Sequence, residues 1–232
     1  MPAAAPQETP SYHASEAARL LALPVSTVKA WCFGQGYRNP QGERKRFSAV
    51  IGPADPRGRL LSFANLCELH ILGSITRAHR IPLQKVRIGI EFVRRKLGSP
   101  RPLLSEQFRT NGLDLFLEHA GQLVSVTREG QTAMRGEFEK ALSRIERGPA
   151  GAPVRLFPYS RPATGRSAQP AVVAIDPRIG FGRPIIIHAG VRTEVIADRF
   201  AAGDSPEDMA EDYGVPETDI LEALRFQQRV AA

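Results

Sequence analysis

The chain has 232 residues, 42% of them apolar and 24% charged, with a net charge of +7. That length allows one large domain or two modest ones, each with a real core. No window approaches the roughly 18 consecutive apolar residues of a membrane span. The two cysteines, Cys32 and Cys67, stand far apart and fit a reduced cytoplasmic setting better than a disulfide framework.

In chain order, residues 1–10 carry no Lys or Arg and no apolar run, which predicts a flexible arm and no secretory signal. The stretch 15–23 has apolar residues at helical spacing, with Ser15 as N-cap, and Pro24 ends it. A second short helix runs from Ser26 through Trp31. Residues 34–61, rich in Gly and Arg, read as loop and short strands. Ser62 caps a helix to about Leu72, and Pro82 opens another whose buried stripe is Leu83, Val86, Ile90, Val93 and Leu97. Residues 113–126 read as two strands around a turn at Gly121. Met134, Phe138, Leu142 and Ile145 mark a further amphipathic helix. Residues 102–147 thus form a β-hairpin and helix that connect or dimerise the chain. Residues 148–171 hold five Pro and three Gly, which predicts a linker with one extended stretch at Val154–Phe157. A short strand at Val172–Ile175 and helices near 191–202, 205–213 and 216–227 follow. The fold class is therefore mainly α with small β elements, a winged helix-turn-helix in front and a small helical domain, helix-turn-helix-like in shape, behind.

The charge is unevenly divided. Residues 11–101 hold 16 Lys and Arg against 5 Asp and Glu, a balance of +11, while residues 102–232 hold 15 against 18. Clustered cations are rewarded by a polyanion through phosphate neutralisation. In the front half Ala17, Ala18, Leu21, Leu23, Val28 and Trp31 supply the packing set of a helix-turn-helix, with Ala22 at the turn position often filled by Gly. Ser26, Thr27, Lys29 and Ala30 are then left outward on the second helix, where a recognition helix meets bases and phosphates. Arg38, Arg44, Lys45, Arg46, Arg57 and Arg59 follow among Gly and Pro, as a wing that straddles a phosphate backbone requires. In the back half, residues 198–222 hold nine Asp and Glu and one Arg, so that helix pair is repelled by DNA and reads as a protein-contact surface. Its start, Ser205-Pro206-Glu207-Asp208, is a capping sequence.

These residues resemble known families. "YHASEAARLLALPVSTVKAW", the wing and "LLSFANLCELHILGSITRAHRIPLQKVRIGIEFVRR" resemble the MerR-like winged-helix domain, over about residues 11–101. The tail, residues 172–232, is similar to the domain of unknown function numbered 433. It carries Asp176-Pro177, Gly182-x-Pro184, Gly190-x-Arg192, Ala202-Gly203 and Ser205-Pro206 in order, and departs at Val191, where that family more often has Thr. The pair in one chain resembles a subgroup of VapB-type antitoxins. The resemblance implies a non-enzymatic repressor of its own operon that neutralises a PIN-domain ribonuclease toxin; a homodimer is expected because one recognition helix reads too few base pairs for operator specificity. Charge then assigns the toxin contact to Asp204, Glu207, Asp208, Glu211, Asp212 and Tyr213, on an acidic surface that continues through Glu217, Asp219 and Glu222, with Met209 and Leu221 as further apolar anchors. The dimer surfaces read from the pattern are the 82–97 and 132–147 helices.

Two other readings compete: a regulator answering to a small ligand held in residues 102–147, and an enzyme or pure interaction protein. No cofactor or metal site is read. Cys67-x-x-His70 with His79 lacks the second ligand pair of a zinc site, and His13, His119 and His188 are isolated. Gly180-Phe181-Gly182 lacks the third Gly and following helix of a dinucleotide loop and reads as a turn.

Overall fold

In the computed structural model, residues 5–38, 41–79, 83–124, 128–161 and 170–231 are described. Strand β1 (Tyr12–His13) leads into α1 (Ala14–Leu21) and α2 (Val25–Phe33), followed by β2 (Gln35–Arg38), β3 (Arg44–Phe47) and β4 (Leu60–Leu61). Four longer helices come next: α3 (Phe63–His79), α4 (Leu83–Leu97), α5 (Leu113–Val124) and α6 (Arg128–Ser143). The rest comprises β5 (Ile145–Arg147), β6 (Pro153–Leu156), β7 (Val173–Ala174), β8 (Ile185–Ile186), β9 (Val191–Arg192), α7 (Thr193–Ala202), α8 (Pro206–Tyr213) and α9 (Glu217–Ala231). The fold is mainly helical with small antiparallel sheets: β1 with β4, β2 with β3, β5 with β6, and β7-β8-β9.

Helix α3 is the axis. Phe63, Ala64, Leu66, Cys67, Leu69, Ile71 and Leu72 are all buried, and so are Asn65, Glu68 and His70, so the helix is enclosed on every side for its first ten residues. It runs one to two turns past the expected end at Leu72 and packs on α6, while α4 packs on α5. One hydrophobic cluster extends from Tyr12 through the middle helices to Val230, so front and back halves share a core.

The segment 113–124 is a helix, not a hairpin. Leu113, Phe116 and Leu117 are buried while Asp114 and Glu118 are exposed, a spacing of three and four. The run of adjacent apolar residues and Gly121 imitated a strand and turn, but packing on α4 selects the helical period. A π-helical turn at Phe108–Gly112 precedes it.

Residues 5–10 are not a free arm. Pro6–Glu8 forms a 3-10 turn, and Glu8 accepts from Arg101 Nη2 at 2.5 Å. The same guanidinium donates to buried Glu68 at 2.6 Å, with Asn65 Nδ2 adding a bond at 3.1 Å. Burial pushes the Glu68 carboxyl up to about 7 against the pull of Arg101 and Asn65.

Much of the Pro/Gly-rich stretch is tied down as well. Strand β6 pairs with β5, and Leu156 exchanges backbone bonds with Ile175. Arg144 donates to the carbonyls of Phe157, Pro158 and Pro170, bracketing both ends of residues 162–169, which lie outside the described residues. Buried Glu222 on α9 takes Ser160, Arg161 and Arg225.

Among the described residues, front and back are joined by bonds at both ends of the junction. Buried Tyr12 donates its hydroxyl to Gly182 O at 2.9 Å, Arg229 donates to Leu20 O at 3.0 Å, and Arg183 pairs with Glu16. Gly182 has φ of +73°, and a Cβ there would lie 2.2 Å from the Tyr12 hydroxyl. Tyr12→Phe should therefore lower unfolding stability by about 1 kcal/mol in urea titration. Gly182→Ala should cost more, because it adds a clash and a left-handed penalty of roughly 1–2 kcal/mol. Equal stability of both variants with the parent would remove this junction from the account.

The buried carboxylates also set a pH dependence. Burial alone would raise Glu222 and Asp176. The bonds from Arg161, Ser160 and Arg225 to the first, and from Arg178 and Arg155 to the second, hold both below the ordinary range. Their stabilisation is full above the unfolded value of about 4 and is lost as pH falls through the lower folded value. Glu68 has the opposite sign: its folded value of about 7 makes its contribution fall as pH rises from the ordinary carboxylate range towards 7. Glu222→Gln should flatten the acid limb of stability against pH and Glu68→Gln the segment above it. An unchanged acid limb in Glu222→Gln would refute the assignment.

Candidate nucleic-acid interface

Helix α1 closes on Ala22, which adopts a left-handed conformation (φ 50°, ψ 48°) without being glycine, and the Leu23 amide reaches back to Ala18 O at 2.8 Å. Pro24 then starts α2 and accepts from the amides of Thr27 and Val28. Val28, Trp31 and Cys32 turn inward onto Ala17, Ala18 and Leu21, all buried. Ser26 and Lys29 are exposed, Thr27 is half-buried, and Ala30 is buried against expectation. Four residues past Ser26, Ala30 falls on the flank of α2 nearest the core, not on its outer face.

The wing is the β2–β3 hairpin, in register Gln35↔Phe47, Gly36↔Arg46, Tyr37↔Lys45 and Arg38↔Arg44. Its root is built from stacked rings. Tyr37 and Phe47 lie 4.1 Å apart and nearly parallel, and Arg87 of α4 sits over Phe47 at 4.9 Å. Arg46 donates to Phe33 O at 2.7 Å, and Arg59 lies over the Phe33 ring at 4.3 Å. Gly34 joins α2 to the wing at φ of +75°, where a Cβ would press to 2.4 Å from Phe47 O.

The nine residues read as DNA contacts thus divide. Ser26, Lys29, Arg38, Arg44 and Arg57 are exposed, and the four cations among them have no ion-pair partner among the described residues. Lys45 is exposed but shares Glu43 at 3.5 Å. Arg46 and Arg59 brace the wing root, and Thr27 is partly covered. Arg38 and Arg44 face each other across the hairpin, a like-charge pair that destabilises the isolated hairpin. Arg87 and Arg94, the latter donating to Val50 O at 2.9 Å, escaped the sequence reading because they come from α4, some forty residues from the wing.

The acidic surface is smaller than its sequence count. Ser205 caps α8, accepting from the Asp208 amide at 3.1 Å and donating to its carboxylate at 2.8 Å. Arg199 donates to Asp204 and Asp212 and lies over Tyr213 at 5.2 Å. Asp219 is buried beside His188, Glu222 is buried in the clamp on Ser160, and Met209 is wholly buried and cannot anchor a partner. Glu207 and Glu211 remain exposed without an ion pair among the described residues.

Comparison with known proteins bears on both halves. Residues 10–90 match the family described as "Putative DNA-binding HTH domain", and residues 173–226 match "Protein of unknown function (DUF433)". The chain is 27% identical over 235 residues to "Putative antitoxin VapB45" of Mycobacterium tuberculosis, covering 94% of this chain and 93% of that protein. The crystal structure of Rv2018 from Mycobacterium tuberculosis shares the fold, with a TM-score of 0.65 and 23% identity over 94% of this chain and 98% of that one. The chain therefore has an N-terminal helix-turn-helix domain and a helical C-terminal region. No helix among the described residues is long and apolar enough to cross a membrane.

Gly34→Ala should detach the wing from α2. At φ 75° and ψ 172° the backbone is in a region open essentially to glycine, where a side chain costs roughly 1–3 kcal/mol, and the contact with Phe47 O adds to it. Hydrogen exchange should show protection lost selectively in Gln35–Phe47. Wild-type protection in that hairpin would mean that Gly34 is not the hinge of the wing.

Proposed function

We propose that this protein is a cytoplasmic, DNA-binding antitoxin of a toxin–antitoxin pair, which represses its own operon and neutralises a PIN-domain ribonuclease, with no catalysis of its own. The observation that carries the reading is the set of unpaired cations on the second helix and wing of a helix-turn-helix domain. Its context is a chain similar along nearly its whole length to a protein named as an antitoxin. Ser26 and Lys29 would read the major groove, with Arg38, Arg44, Lys45 and Arg57 on the backbone. The repulsion between Arg38 and Arg44 is relieved by a phosphate. A single recognition helix reads few base pairs, so a homodimer is proposed, in the MerR-like manner. The outer face of α4 serves it better than α6. Ile88 is 44% exposed there, whereas α6 spends Met134, Phe138 and Leu142 on the core. Of the acidic tail, Glu207 and Glu211 are the groups free to steer a basic partner surface, while Asp204, Asp208, Asp212 and Tyr213 are held by Arg199 and Ser205.

A second reading, a regulator answering to a small ligand, is favoured by one observation. A cleft of about 460 Å³ lies in the middle region, lined by Glu106, Arg109, Thr110, Leu113, Glu139, Leu142 and Ser143 beside the π-helical turn. Its charged, open lining suits a ligand less well than the apolar enclosure usual for small molecules.

The test uses the purified full-length chain with a duplex from upstream of its own coding sequence. Affinity should fall steeply with salt, and Lys29→Ala and Arg44→Ala should each reduce the slope by about one ion. Arg46→Ala should act through wing stability. Co-expression with the product of the neighbouring reading frame should yield a complex in which ribonuclease activity is silenced. A salt-independent affinity would refute the DNA reading, and a neighbour that neither binds nor is silenced would refute the antitoxin reading.

A further inference from the structure

Phe181 is 94% exposed, far more than any other exposed large apolar residue described, Phe200 being next at 46%. It is also held in the left-handed region, φ 56° and ψ 32°, between Gly180 at +57° and Gly182 at +73°. A bulky side chain is strained there, and the ring recovers nothing by burial. The turn itself is rigid. The Gly182 amide bonds to Ile179 O and the Arg183 amide to Gly180 O, both at 3.0 Å. Tyr12 holds the Gly182 carbonyl, and Arg183 pairs with Glu16 of α1. A fixed backbone thus presents a bare ring, an arrangement that minimises the ordering cost of binding.

Three arginines stand on or beside the turn. Arg178 is bonded to Asp176 and Arg183 is paired with Glu16. Arg192, whose Cγ lies 3.7 Å from a Cβ built on Gly180, has no ion-pair partner among the described residues. Most of this positive charge is already neutralised, unlike that of the wing, so the patch is poorly suited to phosphate and its counterion release. An aromatic ring with arginines and no lysine is instead the composition of a protein-interface hot spot. A second copy of this chain is a poor host. Its exposed apolar cleft of about 450 Å³, lined by Phe33, Pro53 and Pro56, also carries Arg46 and Arg59, which would meet Arg192 with like charge.

We propose that the Gly180–Arg183 turn is a protein-docking knob. Phe181 seats in an apolar pocket of a partner protein whose rim carries a carboxylate for Arg192. This rests on the protein-partner reading above and assigns the affinity of that contact to the turn, leaving Glu207 and Glu211 to steer the encounter.

The probe is the protein encoded beside this chain, titrated with the full-length chain. Phe181→Ala should weaken binding by about 100-fold or more, chiefly through faster dissociation. Duplex DNA affinity and light-scattering mass should not change. Phe181→Gly should lose binding equally and yet raise the melting temperature, because it relieves the strain. Arg192→Glu should slow association. Wild-type affinity in Phe181→Ala would overturn the proposal while leaving the partner reading intact. Weakened DNA binding would assign the ring to nucleic acid, and a drop from dimer to monomer would assign it to a second copy; either overturns the proposal. A lower melting temperature in Phe181→Gly would mark the ring as structural and overturn it too. A parent chain that fails to bind the probe refutes the partner reading and this inference together.

Discussion

A tyrosine hydroxyl without water must find an acceptor. That of Tyr12, two residues before the helix-turn-helix, finds the carbonyl of Gly182, 170 positions along the chain. Burial pushes its ionisation up, so it remains a donor across the physiological range. The acceptor is available only because residue 182 is a glycine in a left-handed turn; a side chain would occupy the hydroxyl's place. The rest of the assembly depends on that fit: Arg183 reaches Glu16, α9 lies along α1, and Arg229 reaches Leu20 O. Two halves of opposite charge become one body with a continuous core.

Local patterns were legible in the sequence wherever the deciding partners lie within a turn or two. The spacing of Ala17, Ala18, Leu21, Val28 and Trp31 is the contact set of α1 on α2, and Ser205 with Asp208 forms the reciprocal cap its order implies. What was not legible depends on partners far apart in the chain. Glu8 looked like part of a loose arm because Arg101 and Glu68 lie 93 and 60 positions away, and only the cost of burying Glu68 calls the three together. The apolar run at 113–117 fits either period, and α4, which settles it, is remote in sequence. The stretch 148–171 reads as a linker by composition, yet Arg144 holds both ends of its loop by backbone carbonyls, which composition does not encode.

Charge counts misled in the same way. Nine acids against one arginine in residues 198–222 looked like a uniformly acidic face. In the fold two of the nine are interior, and the lone Arg199 sits where it neutralises Asp204 and Asp212 at once. On the front half the opposite holds. Among the described residues, Lys29, Arg38, Arg44 and Arg57 are left without carboxylates, although Glu43 lies in the same hairpin. A chain that neutralises or buries part of one cluster and leaves most of the other bare assigns different tasks to them.

The junction also determines how those tasks can communicate. Tyr12 and Glu16 flank and open α1, and α1 is the helix on which α2 rests. Both groups are held by the Gly180–Arg183 turn, whose bonds to them form one path from the back half to α1, beside the bond of Arg229 to Leu20 O. Any body that loads this turn acts on the two anchors that fix α1, so it cannot be energetically silent toward α2 unless both bonds keep their geometry. Linkage makes the effect symmetric: whatever an occupied turn does to the affinity of the front half, an occupied front half does to the turn. The coupling requires that the hydroxyl bond or the ion pair change geometry when either surface is occupied.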